Sequence, residues 1–250
     1  MIRRFSAVFS AFSLGLAGLP AHADETTIAV AANFADPIKA IVADFSRATG
    51  HTVKISTGAT GKFYAQIVNG APFDALLAAD DDTPARLVAE KHGVPGSVFT
   101  YAVGRLVLWS TNASKVDAHA STLKSGNFRF LAVANPKTAP YGRAALQTLA
   151  AMKVDVPDSK RVVGESIAQT WQFAATGNAD LGFVALSQVW KDGKLTSGSA
   201  WIVPANLHQP IRQDAVLLLH GQHNAETRAL LDWLKSPSAR KIIESYGYGS

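Results

Sequence analysis

The feature that most constrains this chain is an alternation of two periodicities from Thr26 onward. Short apolar runs containing β-branched residues alternate with segments whose apolar residues fall three and four apart. Residues 27–31 (TIAVA) read as a short buried strand. Ile38, Ile41, Val42 and Phe45 then sit at i, i+3, i+4 and i+7, one face of a helix, and Gly50 is placed to end it. Residues 51–56 alternate and read as a second strand. Tyr64, Ile67 and Val68 mark a second helix that ends at Asn69-Gly70. Residues 73–79 are a third apolar run, and Thr83-Pro84 opens a third helix carrying Leu87 and Val88. A βαβαβα series argues for a mostly parallel sheet covered on both faces.

The pattern then changes. Residues 98–109 (VFTYAVGRLVLW) form a long strand-like stretch with Gly104 in its middle. A second α/β series follows, with strands at 128–134, 161–163, 181–185 and 201–203 and helices at 144–152 and 167–176. Residues 211–219 (IRQDAVLLL) form another long strand, and helical patterns around Ala229–Leu234 and Ile242-Ile243 close the chain. Two long strands about a hundred residues apart suggest a chain that builds one lobe, crosses, builds a second and returns. The expected division is residues 24–103 with 214–250 in lobe I and 104–213 in lobe II. A cleft between two such lobes is a favoured ligand site, closed by hinge motion. A single continuous α/β domain is the alternative.

The first 23 residues are expected to be removed. Arg3 and Arg4 precede an uncharged apolar run at 5–19, and Ala21-His22-Ala23 has the small-x-small form of a cleavage site. The run is shorter than the ~20 residues that span a bilayer. Loss of Arg3 and Arg4 leaves 22 Lys and Arg against 19 Asp and Glu, a net charge of +3. No basic stripe of the kind that binds nucleic acid accompanies it. The chain has no cysteine, which excludes disulfides, thiolate metal sites and cysteine nucleophiles.

Four loops share one design: each follows a strand, is rich in small or hydroxyl residues, and opens a helix. They are Ala31-Ala32-Asn33-Phe34, Ser56-Thr57-Gly58-Ala59-Thr60-Gly61, residues 135–142 (NPKTAPYG) and Gly164-Glu165-Ser166-Ile167. At the carboxyl ends of parallel strands such loops meet ligands. A helix start offers free N–H groups and partial positive charge, so converging starts suit an oxyanion. Asn33, Thr57 and Thr60 add side-chain donors. The same residues also serve simply as caps and turn formers.

Other motifs fail on their own terms. The 56–63 stretch lacks the first glycine and the final Ser or Thr of a phosphate loop, having Ser56 and Phe63. The 164–168 stretch ends in Ala168 where a nucleophile elbow needs glycine. His220 and His223 have no third metal ligand nearby and read as surface or capping residues. Asp80-Asp81-Asp82 precedes a helix and reads as its N-terminal cap and dipole partner. Lys62 and Arg143 sit just inside their helices, as rim residues steering anions or as solvated surface. The five tryptophans read as core.

At these loops the sequence resembles the periplasmic molybdate-binding proteins of ABC transporters. The resemblance rests on AVAANF (29–34), STGATGKFYAQIVNGAPFDALLAAD (56–80), FTYAVGRLVLWS (99–110), LAVANPKTAPYGRAA (131–145), ADLGFVALS (179–187) and WLKSPSARKIIESYGY (233–248), and covers nearly all of the chain after residue 23. It implies a two-lobe α/β fold of the class II periplasmic-binding-protein type, with no catalytic residue and no cofactor. The implied partners are molybdate or tungstate and an inner-membrane ABC permease, and the implied form is a periplasmic monomer. By position, the resemblance assigns the ligand to the Asn33 side chain, the Thr60 hydroxyl and the backbone N–H groups of Tyr141 and Ile167, with Ala32 and Ala59 as further contacts. Two positions depart from relatives: Ala32 stands where some have threonine, and Ala185 where others have tyrosine. The Tyr141 phenol is a candidate to replace a lost donor. A binding protein for another oxyanion, an exported hydrolase and a regulatory sensor are the competing readings; the hydrolase requires a paired nucleophile and base in the cleft.

Overall fold

A computed structural model describes residues 25–249; the expected leader, residues 1–23, lies outside the described residues. The first series builds β1 (Thr26–Ala31), α1 (Ala35–Thr49), β2 (Val53–Gly58), α2 (Thr60–Val68), β3 (Ala75–Leu77), α3 (Asp82–Ala89) and β4 (Phe99–Gly104). In β1, Ile28, Ala29 and Val30 are all buried, as a strand covered on both faces requires. Helix α1 buries Ile38, Ile41 and Phe45 on one face, each contributing about 1.5–3 kcal/mol of apolar burial. Gly50 ends the helix with φ +78°, its N–H donating to Ser46 O at 2.8 Å.

The second series builds β5 (Leu106–Ser110), α4 (Ser121–Ser125), β6 (Leu131–Ala134), α5 (Pro140–Ala151), β7 (Arg161–Gly164), α6 (Ile167–Ala175), β8 (Leu181–Ala185), a small hairpin of β9 (Trp190–Lys191) and β10 (Lys194–Leu195), and β11 (Ser199–Ile202). The chain then returns through β12 (Ile211–Leu217) and ends in α7 (Ala225–Trp233) and α8 (Pro237–Ser245).

Apart from the β9–β10 hairpin, these strands form two separate mixed sheets of five, each with helices on its faces. One has the order β2-β1-β3-β12-β4 and the other β11-β5-β8-β6-β7. Pairs β1–β2, β1–β3, β6–β7 and β6–β8 are parallel, while β12 runs antiparallel to β3 and β4. The result is the two-lobe α/β architecture. The strand-like stretch at 98–109 is two strands, not one. β4 ends in the first sheet at Gly104, β5 begins in the second at Leu106, and only Arg105 lies between. Periodicity could not show this break, because both halves are buried strands. The pairing of β12 shifts register between Gln213 and Asp214, so both neighbouring side chains are buried. A bulge of this kind re-aims a side chain.

Ile38, Phe45, Leu230, Leu231 and Ile243 share one apolar cluster, so the C-terminal helices pack on the first sheet. The tail then pairs Gly249 with Val103 of β4, which leaves Tyr248 at the crossing. Among the described residues no helix is long and apolar enough to cross a membrane.

Candidate functional site

All four loops stand at the carboxyl ends of parallel strands: after β1, β2, β6 and β7. They meet between the sheets. Ala31, Ala32 and Ala79 from the first lobe share one buried cluster with Ala139, Tyr141 and Ile167 from the second. Gly61 N–H donates to Thr138 O at 2.9 Å, joining the second loop to the third. Ser187 Oγ donates to Asn33 O at 2.8 Å, tying the first loop to the second lobe.

Asn33 is 2% exposed and lies in the single helical turn that leads into α1. Its Nδ2 donates to Gln213 Oε1 and to Tyr248 OH, both at 2.9 Å. Its Oδ1 is buried without a partner. Thr60 is the first residue of α2 and 1% exposed; its Oγ1 accepts from Ala79 N–H at 3.0 Å, which leaves its own proton to give. Ala59 is the N-cap of that helix and has no side chain to satisfy the first amides. Tyr141 and Ile167 are buried at the starts of α5 and α6, and Ala32 is buried beside Asn33. First-turn amides have no partner within their helix. Among the described residues no outside acceptor meets those of Tyr141 and Ile167 either.

Gln213 occupies the centre. Its side chain is fully buried, its Nε2 donates to Tyr141 OH at 3.0 Å, and Tyr101 OH lies 3.0 Å from its Oε1. Tyr101 OH also lies 2.8 Å from Ala78 O. Tyr248 OH lies 2.8 Å from Asn33 O and 3.1 Å from Ser187 Oγ. Burial pushes the hydroxyl pKa values of Tyr101, Tyr141 and Tyr248 up, so each phenol keeps its proton. Gly104 is required at the crossing, since a Cβ there would fall 2.2 Å from Tyr141 OH and 2.5 Å from Gln213 Nε2.

Sequence reasoning singled out Asn33, Thr60, Tyr141 and Ile167 but not Gln213, Tyr101, Ser187 or Tyr248. Their signal was weak. A glutamine inside a buried strand was the one anomaly available, and only the bulge and the tail pairing show what it touches.

Charges stand at the rim, where a cavity of about 200 Å³ is lined by Asp80, Arg143, Gln147, Gln209 and Arg212 among others. Arg143 pairs with Asp80 at 2.9 Å and Lys62 with Glu165 at 2.8 Å, both across the cleft. These cations therefore hold the lobes together as well as lining the mouth. Asp80, one residue before the N-cap of α3, accepts from Thr83 N–H of its first turn at 3.2 Å through Oδ1, while its Oδ2 takes Arg143. His220 lies at the surface, as expected, with its Nδ1 2.7 Å from the buried Asp74 carboxylate. Among the described residues no cluster of metal ligands is present. No histidine or carboxylate hydrogen-bonds to Ser187 or Thr60 there, so neither hydroxyl has a base beside it.

Residues 26–249 match the family model of bacterial extracellular solute-binding proteins. The molybdate-binding protein ModA of Azotobacter vinelandii is 56% identical over 240 residues, covering 96% of this chain and 95% of that protein. The ModA of Rhodobacter capsulatus is 50% identical over 247 residues, covering 98% and 96%. Among solved structures, the periplasmic molybdate-binding protein of Azotobacter vinelandii superposes with a TM-score of 0.87 at 38% identity, over 90% of this chain and 99% of that one.

Proposed function

The chain belongs to the family of bacterial extracellular solute-binding proteins, and on that premise we propose that it captures molybdate between its two lobes for delivery to an ABC permease. The observation that carries this reading is the convergence of four loops on a buried site whose inner side chains are all neutral. Two relatives that match almost end to end, and are half or more identical, are named molybdate-binding proteins.

The donors assigned to the anion are the Asn33 side chain, the Thr60 hydroxyl and the first-turn amides of Tyr141 and Ile167, with the backbone at Ala32 and Ala59 completing the shell. Both lobes supply donors, so the anion itself bridges the cleft and favours closure. Its charge is offset by N–H dipoles and helix starts rather than by a buried cation. Tungstate, another tetrahedral dianion, fits the same donors. Sulfate is smaller and leaves some donors unmatched, each unmade buried bond costing about 1–3 kcal/mol. Phosphate near neutral pH carries an O–H, which meets no acceptor once the Asn33 amide presents its nitrogen and the Thr60 hydroxyl donates.

We further assign lobe I to residues 24–103 with 214–250 and lobe II to 104–213, and expect export by removal of residues 1–23 and action as a periplasmic monomer. The test is thermal unfolding of the chain from Asp24 with each of four anions. A ligand at a hundred times its Kd stabilises by about 2.7 kcal/mol. Molybdate and tungstate are expected to raise Tm by several degrees and sulfate and phosphate to leave it unchanged. A rise with sulfate alone would assign the site to another oxyanion.

A further inference from the structure

Deepening that reading and resting on it, we propose that Gln213 is a positioning residue that turns the Asn33 amide toward the anion, both side-chain amides rotating by half a turn when the anion binds. Three observations lead there. Asn33 Oδ1 is a buried acceptor without a donor, and a buried orphan of this kind is costly. Asn33 Nδ2, the group an anion needs, is spent on Gln213 Oε1 and Tyr248 OH. Tyr101 has one proton and two acceptors within reach, Ala78 O and Gln213 Oε1.

Half a turn of both amides resolves all three. Gln213 Nε2 then faces Asn33 Oδ1 and Tyr101 OH and donates to both. Tyr101 gives its proton to Ala78 O. Gln213 Oε1 accepts the Tyr141 proton. Tyr248 OH donates to Asn33 Oδ1, while Ser187 Oγ keeps Asn33 O. Asn33 Nδ2 is left over and faces the place its Oδ1 held, where a dianion supplies the acceptor. The chain of bonds Ala78–Tyr101–Gln213–Tyr141 thus carries a direction, and the direction decides whether Asn33 offers the cleft a donor or an acceptor.

A glutamate at 213 tests this, because its ionised form accepts only. It would hold Asn33 Nδ2 away from the anion and add a charge of the same sign. Protonated, it can donate to Asn33 Oδ1 and accept from Tyr141 as the turned glutamine does. The titratable groups facing this side chain are the phenols of Tyr101, Tyr141 and Tyr248, with the Asp80 and Asp214 carboxylates and Arg143 beyond them. Burial keeps the phenols neutral over the range used.

The experiment titrates molybdate into the wild-type chain from Asp24 and into Gln213→Glu at about pH 6 and about pH 8.5, calorimetrically. The expected result is wild-type affinity changed by no more than about twofold between the two. For Gln213→Glu the expected loss is about a hundredfold at the higher pH, with at least about tenfold recovery at the lower. A loss of equal size at both values, as from a packing fault, overturns the proposal, as does wild-type affinity in the variant. In the unaltered protein, NMR provides a second readout that needs no variant. The Gln213 side-chain NH₂ is expected to exchange its contacts with the Tyr141 ring for contacts with the Tyr101 ring when molybdate is added; unchanged contacts overturn the proposal. If wild type binds molybdate and these results fail, only the role of Gln213 falls. If wild type binds no oxyanion, the reading of the site falls and takes this with it.

Discussion

Asn33 and Thr60 each hold a polar side chain from the first lobe in a buried place, and the binding proposed above turns on them. Their neighbours explain how a site without a cation holds one geometry. Tyr141 and Tyr101 flank Gln213, and Tyr248 meets Asn33, with hydroxyls whose protons burial retains. Molybdate affinity is therefore expected to stay within about twofold from about pH 6.5 to about pH 9, measured by titration at each pH. A fall following a single ionisation inside that window would contradict the assignment. The same phenols set an alkaline limit on stability. Their folded pKa values are raised, so stability is intact below about pH 10. Above it the unfolded phenols ionise while the buried ones do not, and the folded state loses ground. Tyr141→Phe removes a hydroxyl that Gln213 holds and is expected to weaken molybdate binding several-fold with the fold intact; unchanged affinity would remove the phenol from the site.

The elements carry their own instructions to different degrees. Helix α1 was legible because four apolar residues fall on one face and Gly50 follows. Helix α6 was legible because Ser166 stands where a cap should, and its Oγ accepts from Gln169 N–H at 3.3 Å. The short helix α4 and the β9–β10 hairpin were not legible, since neither contains a full period of either pattern. Helix α7 is the clearest case of a local signal that can be tested. Asn224 Oδ1 accepts from both Glu226 and Thr227 N–H at 3.0 Å, and Thr227 is itself fully buried beneath the sheet. Asn224→Ala is expected to cost about 0.5–2 kcal/mol in urea unfolding with no change in molybdate affinity, because α7 lies away from the cleft. An unchanged midpoint would show that the cap bonds do not limit stability.

At the scale of the whole molecule, the alternation and the strand-like stretches at 98–109 and 211–219 pointed to two lobes with a single domain as the alternative, although the first stretch proved to be two strands, one in each sheet. The four loops at strand ends were legible in the sequence, each small or hydroxyl-rich and opening a helix. What sequence could not give was contact between residues far apart: Asn33 with Tyr248, or Tyr141 with Gln213. Such pairs are set by a bulge, a tail and a crossing, and each of these is a property of the assembled sheets. The site lies between the two sheets, with paired charges across its mouth at Lys62–Glu165 and Arg143–Asp80 and neutral polar side chains inside. The most direct test of a neutral-donor site for a large tetrahedral dianion is calorimetric titration of the chain from Asp24 with molybdate, tungstate, sulfate and phosphate in turn. Tight one-to-one binding of molybdate and tungstate, with sulfate and phosphate at least about a hundredfold weaker, is the expected result, since two unmatched donors cost about that much. Equal or tighter binding of sulfate would contradict the size filter, and heat from none of the four would contradict the site itself.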